Sequence, residues 1–333
     1  MGASQNSLAL NFCFKMKKIL LFLSLALTLA ACNSEETKTS APEKKTNPKA
    51  LNVALMPVID CLPVYYAEQT GIYDSLGLEL SITDKLSLFD LDAQMDVKTT
   101  DGIFTDVARV QYNKSKGKEW TVVMATNGKW ALVANKNQRF TKVDQLTDRI
   151  VSISRFSASD FLAAQALKQN NMKYDDALRV QVNSLEVRLN MLNNNQVETA
   201  VLPQPFLARA TEKGHKVLMA YEGADNNLGC IAFKKTALTD KRKAKQVELF
   251  VKGYNRAADI INRKGRKACD SLLIKHYNVP AKALPKVVLP KYEHARLPID
   301  PTFTDVSNML YEINAIKHTF GLYETCDERF LKQ

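Results

Sequence analysis

A cysteine at position 32 closes the run Leu29-Ala30-Ala31-Cys32, at the end of a mostly apolar run of 13 residues, Ile19 to Ala31. Its thiol is placed to take a diacylglyceryl group, which would make Cys32 the lipidated first residue of an exported chain. Lys15, Lys17 and Lys18 supply the basic segment ahead of the run, and the small residues supply a cleavage site, so residues 1–31 read as a signal peptide. The run is too short for a bilayer, which takes roughly 20 apolar residues. Met16-Lys17-Lys18 opens a standard signal, so Met16 reads as the true start. An ordinary signal followed by a chance cysteine is the alternative.

Three strand-to-helix turns carry the other chemistry. In alternating α/β sheets, ligands settle beyond the carboxyl ends of strands, near helix N-termini with free N–H groups and a partial positive charge. Such places suit sulfonate, nitrate, phosphate or carboxylate. In Ser154-Arg155-Phe156-Ser157-Ala158-Ser159, the hydroxyls and N–H groups of Ser154, Ser157, Ala158 and Ser159 converge; Ser157 or Ser159 reads equally as a plain N-cap. At Thr105-Asp106, the carboxylate binds a cationic group of a ligand or merely caps a helix. In Met56-Pro57-Val58-Ile59-Asp60-Cys61, Met56 and Asp60 either reach the ligand or serve the core and an ordinary turn.

Little points to catalysis or to a metal. No CxxC pair and no Cys/His spacing for zinc occurs, and His215, His276, His294 and His318 are scattered. No Ser/His/Asp order, paired-carboxylate motif or phosphate loop appears. No cofactor is expected. Outside the cytoplasm, Cys269 and Cys326 are a candidate disulfide, and Cys61 and Cys230 read as small buried hydrophobes. The formal charge is +11 and falls to +8 when the three lysines of residues 1–31 are removed. Lys241-Arg242-Lys243 and Arg263-Lys264-Gly265-Arg266-Lys267 are the densest clusters and read as solvated helix faces. Nucleic acid is not an expected partner. The basic balance fits an anionic small ligand or an anionic lipid surface.

These residues need a frame. Ser34 to Lys49 has no large apolar residue and holds two prolines, four lysines and three glutamates, so residues 32–50 read as a lipidated cysteine and a disordered tether. Asn33-Ser34-Glu35-Glu36 resembles acidic post-cysteine signals for surface display; a solvated spacer is the plain reading. From Leu51 about 280 residues remain, enough for two lobes. Strands are predicted at Leu51–Met56, Leu78–Thr83 and Asp101–Phe104, with helices over Leu62–Thr70 and Thr105–Lys114. Trp120–Thr126 and Lys129–Ala134 read as strands around an Asn127-Gly128 turn. A second βα series runs from Ile150 to Lys234. The last hundred residues are mostly helical, and Asp240–Asn262 keeps Val247, Phe250, Val251, Tyr254, Ala257, Ala258 and Ile261 on one face. Alternating units argue for parallel sheets in an α/β chain.

Tyr65-Tyr66-Ala67-Glu68-Gln69-Thr70-Gly71-Ile72-Tyr73 followed by Leu76-Gly77-Leu78-Glu79-Leu80 resembles the opening of ABC-transporter periplasmic substrate-binding proteins of the nitrate, sulfonate, taurine and thiamine-pyrimidine-precursor type. Leu146 to Asp160 is similar to that family's entry to its second lobe, and Thr199-Ala200-Val201-Leu202-Pro203-Gln204-Pro205-Phe206 to a strand leading into a proline-aromatic helix start. The likeness covers Leu51 to Tyr323. It implies a two-lobe, type II-like periplasmic-binding-protein fold, each lobe a mostly parallel sheet flanked by helices, joined by two crossover strands and closing on its ligand. Lobe one would hold residues 51–134 and 235–333, lobe two 135–234. Gln204 would close the cleft from lobe two, and Asn227 would border it. The implied function is capture of a small anionic or zwitterionic organic solute by a monomer, and delivery to an ABC permease. A surface scavenger or sensory lipoprotein without a permease, or an enzyme of thiamine-pyrimidine or menaquinone synthesis, are the alternatives. Phe104 and Asp106 depart from the family's small, glycine-rich turn and speak for a larger or zwitterionic ligand over nitrate.

Overall fold

The computed structural model describes residue 47, residues 49–223 and residues 227–331. The expected signal peptide, Cys32 and most of the tether lie outside the described residues, as does Asn226. The tether ends earlier than expected: Ala50 is buried, and the carbonyls of Lys49 and Ala50 accept from Arg242 Nη1 (2.6 Å) and Lys243 Nζ (2.5 Å). Lys243 also pairs with Asp101 at 2.6 Å. The cluster expected to be a solvated face therefore clamps the start of the folded body.

Two five-stranded sheets form the frame. In the first, β1 (Leu51–Leu55), β2 (Leu80–Asp84) and β3 (Gly102–Asp106) are parallel, with order β2-β1-β3-β10-β4 completed by β4 (Trp120–Ala125) and β10 (Gly229–Lys234). β10 runs antiparallel to both β3 and β4. The second sheet repeats the plan with order β7-β6-β8-β5-β9, built from β5 (Trp130–Ala134), β6 (Ile150–Ile153), β7 (Leu178–Gln181), β8 (Thr199–Pro203) and β9 (Lys216–Ala220). Here β5 is the reversed strand, antiparallel to β8 and β9. Buried apolar runs such as Leu51–Leu55 and Trp130–Ala134 suit central strands covered on both faces.

The α/β class and the two lobes are as expected, but both lobe boundaries shift. Trp130–Ala134 belongs to the second sheet and Gly229–Lys234 to the first. Asn127-Gly128 is therefore no hairpin turn; it lies in the first crossover, and the chain crosses back between the end of β9 at Ala220 and the start of β10 at Gly229. Two apolar runs around Asn-Gly look locally like a hairpin. The partners that win, β10 for β4 and β8 and β9 for β5, are remote in sequence.

The helices are α1 (Leu62–Gln69), α2 (Ile72–Ser75), α3 (Leu88–Gln94), α4 (Val107–Ser115), α5 (Ala158–Gln169), α6 (Leu185–Asn193), α7 (Phe206–Glu212), α8 (Lys235–Thr239), α9 (Lys241–Lys264), α10 (Asp270–Lys275) and α11 (Asp300–Glu312). The buried face of α9 includes all seven apolar residues expected from its spacing. Asp240 caps its N-terminus by accepting from Lys243 N at 2.8 Å. Gly253 on the same helix lets Tyr73 approach so closely that an added Cβ would lie 2.2 Å from its ring.

The expected Cys269–Cys326 disulfide is absent: Cys61, Cys230, Cys269 and Cys326 are all free and buried. Cys326 lies beside β4, bridged to Val122, whereas Cys269 packs at the end of α9. Similar positions late in the sequence did not bring them together.

Candidate functional site

The turn after β1 carries Asp60 in a single 3-10 turn, Ile59–Cys61. The residue is 0% exposed. Its Oδ1 accepts from Thr126 Oγ1 at 3.1 Å, and Oδ2 has no hydrogen-bond partner. Burial pushes its carboxyl up to about 6, against the opposing pull of the Thr126 hydroxyl. Thr126 belongs to the first crossover, and its N–H donates to Gly229 O at 2.8 Å. A Cβ on Gly229 would lie 2.5 Å from Asp60 Oδ1 and 2.3 Å from Thr126 Oγ1, so only glycine allows these groups to meet.

Asp106 ends β3 and caps α4, accepting from Arg109 N at 2.8 Å through Oδ1. It is 3% exposed, and Oδ2 is unpartnered. Burial pushes this carboxyl up to about 7; nearby N–H groups of Ala158, Arg109 and Ala108 oppose the rise, and the charge of Asp60 adds to it. Thr105 Oγ1, next door, is buried without a partner.

The facing turn in lobe two is built by serines that satisfy one another. Ser157 Oγ accepts from Ser159 N and donates to Ser154 O at 2.6 Å, and Ser159 Oγ accepts from Ser154 N at 2.9 Å. Ser154 Oγ donates to Asn183 Oδ1 at 3.1 Å. Both expected roles for Ser157 and Ser159 thus begin with capping, and the hydroxyls are spent inside the turn. Phe156 sits at φ 56° and stacks on Tyr112 of lobe one, ring centres 4.8 Å apart.

Several further contacts draw the lobes together. Ile59 N donates to Gln204 O at 3.3 Å, Arg109 Nη1 to Arg155 O at 3.2 Å, and Gln204 Nε2 to Lys286 O at 3.3 Å. Gln204 is buried, and its Oε1 has no partner. The junction therefore gathers Asp60 and Asp106 from one lobe and Gln204 from the other; Thr105, one residue before Asp106 in β3, projects to the opposite face of the sheet. Two other candidates are occupied differently. Met56 is buried in the apolar core. Asn227 Oδ1 accepts from Asn127 Nδ2 at 3.0 Å, tying the two crossovers. Trp120 and Trp130 are buried in their strands.

Thr126, Arg109 and Gly229 went unnoticed in the sequence. Gly229 had a signal, a glycine opening an apolar strand, which marks a close approach. Arg109 and Thr126 had none. A groove of about 840 Å3 lies between α5 and α11, lined in part by Ala164, Lys168, Asp305 and Met309. None of Asp60, Thr105, Asp106 or Gln204 lines it.

Comparison with known proteins starts at the N-terminus, where residues 16–33 match the prokaryotic membrane lipoprotein lipid attachment site. No curated protein matches the sequence. Among solved structures, the alkanesulfonate-binding protein SsuA from Xanthomonas axonopodis pv. citri, bound to MOPS, superposes with TM-score 0.74 at 11% identity, covering 85% of this chain and 99% of that one. The periplasmic nitrate-binding protein NrtA from Synechocystis PCC 6803 does so at 0.61 and 13%, covering 71% and 68%. A DszB mutant in complex with biphenyl-2-sulfinic acid gives 0.61 and 14%, covering 84% and 98%. The chain has the periplasmic binding-protein fold. In that fold the buried acids lie where the two lobes meet, at the carboxyl ends of β1 and β3.

Proposed function

We propose that this chain is an exported lipoprotein, tethered through Cys32, that captures a small anionic or zwitterionic organic solute between its lobes and hands it to an ABC permease. The observation that carries the reading is the junction itself: buried polar atoms without partners, drawn from both lobes, at the strand ends of two matched sheets. A buried polar atom without a partner costs roughly 1–3 kcal/mol, and a bound solute removes that cost. The lipid attachment site and the likeness to sulfonate-binding SsuA and nitrate-binding NrtA support the same reading.

The enzymatic alternative has its best nucleophile in Cys61, beside Asp60. Burial, with the Asp60 charge adding to it, pushes that thiol well above its usual value. A thiol held protonated is a poor nucleophile, so capture without chemistry is favoured.

The test is thermal unfolding of the full-length, detergent-extracted lipoprotein with alkyl sulfonates, taurine, nitrate, amino acids and small carboxylates. A ligand at 100 times its Kd stabilises by about 2.7 kcal/mol. Stabilisation by one chemical class supports the reading. No stabilisation, together with no small molecule released when natively isolated protein is denatured, defeats it.

A further inference from the structure

We infer that the junction recognises the positively charged, hydrogen-bond-donating end of its solute, an ammonium or amidinium group, through Asp60 and Asp106. This rests on the solute-capture reading above.

Of the unpartnered buried side-chain atoms near the junction, Asp60 Oδ2, Asp106 Oδ2 and Gln204 Oε1 are acceptors once the acids are ionised, against one unpartnered donor, Arg109 Nε on α4. The Gln204 amide is oriented by its other end, because Nε2 donates to the Lys286 carbonyl and the reverse orientation would set two oxygens together. The two acids share one face of the first sheet. Gly229 is paired with Asp106 across β10 and β3, and the space of its missing Cβ is held by Asp60 Oδ1. Directly paired residues of antiparallel strands project to one side about 5 Å apart.

Among the described residues, no ion pair joins a side-chain cation to either acid. Arg109, whose backbone N–H donates to Asp106, has its guanidinium paired with Asp92 and donating to Arg155 O. Two buried carboxyls side by side are costly to ionise without a compensating charge. An ammonium or amidinium supplies that charge and several donors at once; a donor-free anion supplies neither. The net positive chain thus has an acidic binding point, opposite to its overall sign.

Matched probes that differ only in the donor test this: taurine against ethanesulfonate, β-alanine against propanoate, and benzamidine against benzoate. Each is added to the full-length lipoprotein during thermal unfolding at pH 8. In parallel, small molecules released from natively isolated protein are identified by mass spectrometry. The expected result is stabilisation by a nitrogen-bearing member and none by its partner, a released molecule with a protonatable nitrogen, and at least tenfold weaker binding after Asp60→Asn or Asp106→Asn. The unmodified protein carries the test if either variant misfolds. Stabilisation by the donor-free members, or a released molecule without basic nitrogen, overturns this inference and leaves solute capture standing. No released molecule and no stabilisation by either set overturns both.

Discussion

Gly229 faces Asp106 across strands β10 and β3, and the place where its side chain would begin is held by Asp60 Oδ1, 2.5 Å away. One missing methyl group therefore lets two acids from different loops share a face of the sheet. Each acid alone is an unremarkable turn or cap residue. Together, buried and in no ion pair among the described residues, they set the charge of the junction.

The substitution Gly229→Ala tests the packing directly. The added methyl meets Asp60 Oδ1 and Thr126 Oγ1 well inside contact distance, and both groups are buried. Overpacking of this kind costs about 1–3 kcal/mol. The expected outcome is a lower urea midpoint with an unchanged m-value, and loss of solute-induced stabilisation beyond what the lower stability explains. A fully stable variant that still responds to solute would contradict the placement of Asp60.

The buried acids also fix a pH dependence. Their carboxyls are pushed up to about 6 and about 7, against an unfolded value of 3.8. The folded state therefore holds more protons than the unfolded chain between about pH 4 and 7, and stability falls as pH rises through that window, by a few kcal/mol in all. Urea midpoints of solute-free protein measured across this range check the direction. In Asp60→Asn and Asp106→Asn the slope flattens. A solute that supplies a cation reverses the trend, because it favours the ionised acids.

Arg188 gives a test away from the junction. It is 1% exposed, and it donates to Val182 O through Nε and Nη2 (3.2 and 2.8 Å) and to Val201 O through Nη1 (2.7 Å). Burial pulls its guanidinium down to about 9. The residue thus braces the end of β7 against β8. Arg188→Met leaves two buried carbonyls without these donors, at an expected cost of roughly 2–4 kcal/mol in urea unfolding. Arg188→Lys does not restore it, since one ammonium cannot reproduce the planar fork.

Much of the frame was legible in the sequence because it is local. The apolar face of α9, the caps at Asp106 and Ser157, and the alternation of strand and helix all follow from spacing over a few residues. The strand exchange at Trp130–Ala134 and Gly229–Lys234 was not, because it depends on partners some 70 to 130 residues distant. For the site, Asp60, Asp106, Thr105 and Gln204 were visible as candidates, each with an ordinary alternative. The convergence of Asp60, Asp106 and Gln204 was hidden, since it depends on Gly229 and Thr126. The bonds of the other candidates were equally hidden: Ser157 and Ser159 bond within their own turn, Ser154 Oγ donates to Asn183, and Asn227 accepts from Asn127.

The position of β10 has a temporal consequence. β3 and β4 are not neighbours; the strand between them is Gly229–Lys234. The second sheet, by contrast, is complete by Ala220. A chain threaded across a membrane N-terminus first can therefore finish its second sheet while the first still has an open slot between β3 and its edge strand β4. The junction that includes Gly229 is complete only when that late strand is in place.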